Sequence, residues 1–220
     1  MGVFTLSPPA VLQPVHPPLG IHPAYTSHSH PVTLVLKERV FSFSGDDFGV
    51  KDTNGQVVVR CQGKALSFKD RKGVYHLVSS ERVSHMRPVI TDPNGQFLFA
   101  IRNKLLSIHK VYVGEDEHGN EIFRIKKKLS FSSHLVATFH NPATNLPTTL
   151  VLKGDFWGGS ADVSIEGGPV VAQISRKLFN MREFWGDKQT YFVTVAAGVD
   201  LALMAAVCIC FDEAKNEENH

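Results

Sequence analysis

Residues 199–211, Val199-Asp-Leu-Ala-Leu-Met-Ala-Ala-Val-Cys-Ile-Cys-Phe211, decide how the rest of the chain must be arranged. The run is apolar on every face and rich in Ala, Leu and Met, which favours helix over strand. Asp200 stands where an N-cap belongs. A helix apolar all round must be surrounded by protein or by lipid, and about a dozen residues fall short of the roughly twenty needed to cross a bilayer. A helix over 199–212, buried inside its own domain, is therefore expected, with a polar tail from 215 to 220.

What precedes the helix is β-rich. Short runs of β-branched and aromatic residues, at 33–43, 57–60, 74–79, 96–101, 107–113, 121–126, 135–139, 148–153, 161–166, 170–175 and 191–195, alternate with turn signals, and no amphipathic helix intervenes. Asn54-Gly55 and Asn94-Gly95 are two-residue hairpin signals of the type I′ kind, with His118-Gly119 a weaker third, so neighbouring strands should run antiparallel. The stretches 50–57 (VKDTNGQV) and 90–97 (ITDPNGQF) match in pattern, as a hairpin unit used twice would. At least eleven short strands argue for a closed barrel or a sandwich, closure being the surer way to remove exposed edges.

The remaining composition is that of an ordinary globular protein: 220 residues, 43% apolar, 20% charged, with a net charge of +2. That charge is too small to imply nucleic-acid binding. Cys61, Cys208 and Cys210 are sparse and odd in number, which fits a reducing, intracellular setting better than a disulfide framework. No basic region followed by an apolar run opens the chain, so a signal peptide is not expected, and Leu6 stands where a myristoylation motif wants Ser or Thr. Residues 1–31, rich in Pro and His without periodicity, read as a disordered arm; 32–214 then form the domain.

Chemistry-bearing motifs are scarce. The chain has no Gly-x-Ser-x-Gly elbow, His-Glu-x-x-His pair, phosphate-binding Gly-rich loop or dinucleotide fingerprint. Cys208 and Cys210 lie two apart on the expected helix and cannot share a face, so no metal is expected there. Asp46, Asp47, Asp52 and Asn54 bunch near one turn without calcium-loop spacing, and turn formation explains them. Neither a metal nor a cofactor is expected. Phe156, Trp157 and Trp185 sit beside predicted loops, where barrel plugging is favoured over membrane insertion. The most suggestive surface feature is basic: Arg124, Lys126 and Lys128 alternate along one expected strand, and Arg102 and Lys104 along another, with Lys110, Lys127, Arg176 and Lys177 able to extend the patch. Such a face suits anionic headgroups. An ordinary solvated barrel wall is the plainer explanation of the same residues.

The motifs VKDTNGQ (50–56), RNKLLSIH (102–109), VVAQISRK (170–177) and YFVTVAAGVDLALMAAV (191–207) resemble the LURP-one-related family, within the tubby C-terminal-like fold, over about 32–213. The resemblance implies an all-β, twelve-stranded antiparallel closed barrel around a central hydrophobic C-terminal helix, a fold shared with tubby proteins and phospholipid scramblases. It also implies kinship with plant proteins linked to defence responses and with tubby domains that bind phosphoinositide headgroups. This chain differs from the plant members in its Pro/His arm and in residues 141–147. The resulting expectation is a non-catalytic, monomeric, cytoplasmic module, peripheral at the plasma membrane or nuclear. It would bind anionic phospholipid or a protein partner; scramblase-like lipid transport and an enzyme with a site at a barrel mouth are the alternatives.

Overall fold

A computed structural model of the chain describes residues 11–37, 48–62, 88–104, 110–128, 134–155, 160–175 and 190–216. Among these residues twelve strands precede one α-helix: β1 (Val32–Lys37), β2 (Phe48–Asp52), β3 (Val57–Gln62), β4 (Val89–Thr91), β5 (Phe97–Asn103), β6 (Val111–Glu115), β7 (Glu121–Lys128), β8 (His134–Asn141), β9 (Leu146–Asp155), β10 (Ser160–Ile165), β11 (Val170–Ser175), β12 (Thr190–Val195) and α1 (Leu201–Asn216). Each strand pairs antiparallel with its sequence neighbour, and β1 closes the ring on β12 in the register Val32 to Val195 through Lys37 to Thr190. Closure leaves no free sheet edge.

Strand periodicity fixes which residues face inward. Leu34 and Leu36 on β1, Val59 and Cys61 on β3, Phe123 and Ile125 on β7, Leu150 and Leu152 on β9 and Tyr191 and Val193 on β12 join one buried cluster with α1. Every residue from Leu201 to Asp212 is buried, as a helix running inside the barrel requires. Complete burial of a side chain such as Leu203 or Met204 contributes about 1.5–3 kcal/mol each. The wall is packed tightly enough to demand a glycine: a Cβ at Gly114 would stand 2.0 Å from the Phe123 ring on the neighbouring strand. The helix runs to Asn216, beyond the expected end at 212, and Ala214 is still buried.

The hairpins fall where Asn-Gly and His-Gly place them, but their geometry is not type I′. Only the glycines have positive φ, at Gly55 (80°), Gly95 (90°) and Gly119 (84°). In each turn an Asp three residues earlier accepts the glycine N–H on its backbone carbonyl, while its Oδ1 accepts the N–H groups two and four positions on. This is a type I turn followed by a glycine bulge. The three register shifts at Val50/Lys51, Ile90/Thr91 and Gly114/Glu115 match it. The Asp side chain overrides the local Asn-Gly preference. Strands β2 and β4, outside the runs picked by composition, are the short first arms of two of these hairpins; the run expected at 74–79 lies outside the described residues.

Residues 11–31 depart from the expectation of a disordered arm. They form a strap across the barrel end where α1 begins. Val15 N–H donates to Ala197 O, Leu19 N–H to Gly198 O and Asp200 N–H to Leu19 O; Leu19 forms a parallel bridge with Val199. A single turn of 3₁₀ helix follows at Pro23–Tyr25. Hydrophobic periodicity is not needed here, because backbone groups at the mouth of the barrel supply the bonds.

Candidate functional site

The structure divides the expected basic face. Arg102 on β5, Val113 on β6 and Arg124 on β7 stand in one cross-strand row on the outer wall. Both arginines are matched by acids. Arg102 donates through Nε to Glu115 Oε1 at 2.7 Å and approaches the same oxygen with Nη2 at 2.6 Å. Arg124 forms a two-pronged pair with Glu121, with Nε to Oε1 at 2.6 Å and Nη2 to Oε2. The planar fork of arginine favours such pairing, and little positive potential remains for a ligand.

The next row toward the far end of the barrel differs. Lys104, whose N–H donates to Val111 O, and Lys126, paired with Val111 in register, flank β6. Neither lysine has an acidic partner among the described residues, and Lys126 is exposed between the buried Val111 and Val136. Lys128 lies two residues further along β7, in the next cross-strand row. Lys127 takes the alternate phase, that of Phe123 and Ile125. Lys110 leaves the patch, because it is half-buried near Glu213: burial lowers its ammonium pKa and Glu213 raises it. The Glu213 carboxyl is in turn pushed up by burial and held down by Lys110. Arg176, Lys177, Phe156, Trp157, Trp185, Asp46 and Asp47 lie outside the described residues.

Register also brings in residues that alternation along one strand does not reveal. Lys128 pairs with His134 on β8, and His134 with Lys153 on β9. Lys153 stood at the end of an expected strand, but local sequence carries no signal that β9 lies two strands from β7.

The thiols are unsuited to chemistry. Cys61, Cys208 and Cys210 are buried and are not joined by a disulfide. Burial pushes Cys208 and Cys210 well above the ordinary thiol range, with Asp212 and Glu213 respectively adding to the effect. A buried thiol with raised pKa is a poor nucleophile. Among the described residues no group of three or more His, Cys, Asp or Glu side chains is placed to hold a metal ion.

The opposite end holds the strap and a buried carboxylate. Asp200 accepts four backbone N–H bonds: Oδ1 from Ala202 at 2.9 Å and Leu203 at 3.0 Å, Oδ2 from Ile21 at 3.0 Å and His22 at 2.8 Å. One side chain thus caps α1 and pins the strap. Burial pushes its carboxyl above the usual range, against the pull of those N–H groups and of His22. The His22 ring stacks on Phe99 at 5.8 Å, and burial lowers its pKa while Asp200 opposes. An open groove of about 400 Å³ lies between the strap and the β8–β9 hairpin, lined by residues that include His16, Asn141, Leu146 and Glu166.

A family model described as LURP-one-related matches residues 32–212. The chain is 23% identical over 205 residues to Protein LURP-one-related 15 of Arabidopsis thaliana, covering 90% of this chain and 86% of that protein. It is likewise 23% identical over 192 residues to Protein LURP-one-related 14 of the same plant, covering 85% and 86%. An X-ray structure of an Arabidopsis thaliana protein superposes with a TM-score of 0.55 at 19% identity, over 88% of this chain and 96% of that one, a likeness of fold.

Proposed function

The chain belongs to the LURP-one-related family, and on that premise we propose that it is a non-catalytic, tubby-like binding module. Its basic outer wall takes up the phosphate groups of anionic phospholipid headgroups, tethering the protein peripherally to a membrane. The observation that carries this reading is the row of Lys104 and Lys126, two cations on one stretch of wall without acidic partners among the described residues, beside a row in which both arginines are matched by glutamates. The interior supports binding over catalysis, since α1 and the inward side chains occupy it and burial holds the Cys208 and Cys210 thiols protonated. Scramblase-like transport would need α1 in the bilayer, and among the described residues no helix is long and apolar enough to cross one.

Co-sedimentation of the protein with phosphatidylcholine, phosphatidylserine and phosphoinositide vesicles at two salt concentrations tests the reading. Each lysine near an acidic leaflet contributes about 1 kcal/mol, so reversing both in Lys104→Glu/Lys126→Glu should weaken binding by more than about tenfold. Added salt should weaken the wild type as well. Equal binding by wild type and double variant would remove the assigned wall; no binding to any vesicle would favour a protein partner.

A further inference from the structure

Both ring nitrogens of His28, near the end of the strap, meet backbone carbonyls. Nδ1 lies 2.8 Å from His30 O and Nε2 lies 2.9 Å from the carbonyl of Val199, the residue before the cap of α1. A carbonyl oxygen only accepts, and a neutral imidazole has one N–H, so both bonds form together only on the imidazolium. Turning the ring over does not lift that requirement. It would bring ring carbons to the carbonyls at distances shorter than the about 3.3–3.6 Å of C–H···O contacts. We propose that His28 is a proton-operated clasp: charged, it fastens the strap to the segment that leads into α1; neutral, it lets go of one carbonyl and loosens the strap over the barrel mouth.

The clasp sits at a joint with little slack. The His28 carbonyl accepts Gly198 N–H at 3.3 Å, so this one residue holds Gly198 by its main chain and Val199 by its ring. Earlier in the strap, Val15 and Leu19 donate to Ala197 O and Gly198 O. The crossing is close enough to demand glycine on both sides: a Cβ at Gly198 would stand 2.4 Å from Val15 O, and one at Gly20 would stand 2.1 Å from Asp200 Cβ. A neutral His28 ring would turn one nitrogen lone pair toward a carbonyl oxygen in this confined joint. That contact is repulsive, and the ring must leave one of its two partners.

No carboxylate among the described residues bonds to either ring nitrogen of His28. The titratable groups on the elements that meet it are Asp200 on α1, His22, Tyr25 and His30 on the strap, Tyr191 on β12 and Lys37 at the other end of β1. Asp200 is engaged by four backbone N–H groups, and the His30 ring is exposed. An imidazole in an unfolded chain titrates at about 6.5. Stability from the clasp is therefore present on the acid side of that value and lost as pH rises past it. His22 has the opposite sign, because burial favours its neutral form.

Hydrogen exchange at the Leu19 and Gly198 amides of the full-length protein, corrected for the intrinsic rate at each pH, reports whether the strap is fastened. His28→Gln keeps a donor for Val199 O and cannot take up a proton. Since His22 and Asp200 titrate alike in both proteins, the ratio of wild-type to variant protection isolates the clasp, and it should fall at least fivefold from pH 5.5 to pH 8. His30→Gln, which removes an exposed ring and keeps the carbonyl, should follow the wild type within twofold. A wild-type to His28→Gln ratio constant within twofold overturns the clasp, as does a His30→Gln profile equal to that of His28→Gln. If His28→Gln fails to fold, nitrogen-15 shifts of the wild-type His28 ring decide the matter. Two protonated ring nitrogens are expected at pH 5.5, with strap protection falling along the same titration curve as one proton is lost; a ring already neutral at pH 5.5, or protection indifferent to its titration, overturns the proposal.

Discussion

Asp200 shows how much one side chain can organise. It is fully buried, and its two oxygens accept N–H groups from the first turn of α1 and from a strap residue 179 positions earlier in sequence. Asp200→Ala would leave four donors without an acceptor, and hydrogen bonds to charged groups contribute about 1.5–3 kcal/mol each, so a loss of at least about 3 kcal/mol in urea unfolding is expected. Its neighbour His22 makes a second prediction. Folding lowers the His22 pKa below its ordinary value of about 6.5, so the unfolded chain binds the proton more tightly. Stability from this group is present above that value and falls as pH drops through it. The raised carboxyl of Asp200 acts with the opposite sign, and Tyr25, whose pKa burial raises to about 12, stays neutral throughout. Subtracting the pH profile of His22→Asn from that of the wild type therefore isolates the histidine: the difference should shrink as pH falls from 7.5 to 5.5, and a flat difference would contradict the assignment.

At the scale of elements, the hairpins and the strap teach different lessons about what a sequence discloses. Turn positions are legible because glycine at positive φ is written locally; turn type is not, because an Asp two residues before the Asn-Gly step rewires the backbone through its carboxylate. The strap was illegible for a related reason. Its order comes from main-chain bonds with Ala197, Gly198 and Asp200, from the His28 ring against the Val199 carbonyl and from the Asp200 carboxylate, none of which leaves a pattern in residues 11–31. The family match begins at residue 32, after the strap. A chain lacking residues 1–23 should therefore melt at a clearly lower temperature than the full protein in a thermal scan, although the whole family-matched segment is retained; equal melting would show that the strap contributes nothing. Within the wall, Gly114→Ala should cost about 1–3 kcal/mol or more, since its methyl meets the Phe123 ring and overpacking of a dense core is unfavourable.

For the whole molecule, the helix was the most legible part, since a run apolar on all sides and too short for a bilayer leaves few places to go. The wall was legible only strand by strand. Alternation showed Arg124 and Lys126 on one face, but the glutamates that neutralise the arginines, and the lysine that joins from β9, depend on pairings between strands that no local window contains. The same order of parts bears on how the protein is made. Every strand precedes α1, and the ring is sealed by the pairing of β1 with β12. A ribosome thus delivers the whole lining of the barrel before the plug that fills it has left the exit tunnel. Until α1 emerges, the inner wall has nothing to pack against, and a chain stalled anywhere upstream is a collection of greasy hairpins. Folding of this domain must wait for α1, and the nascent domain would need shielding by holdase chaperones until that helix emerges.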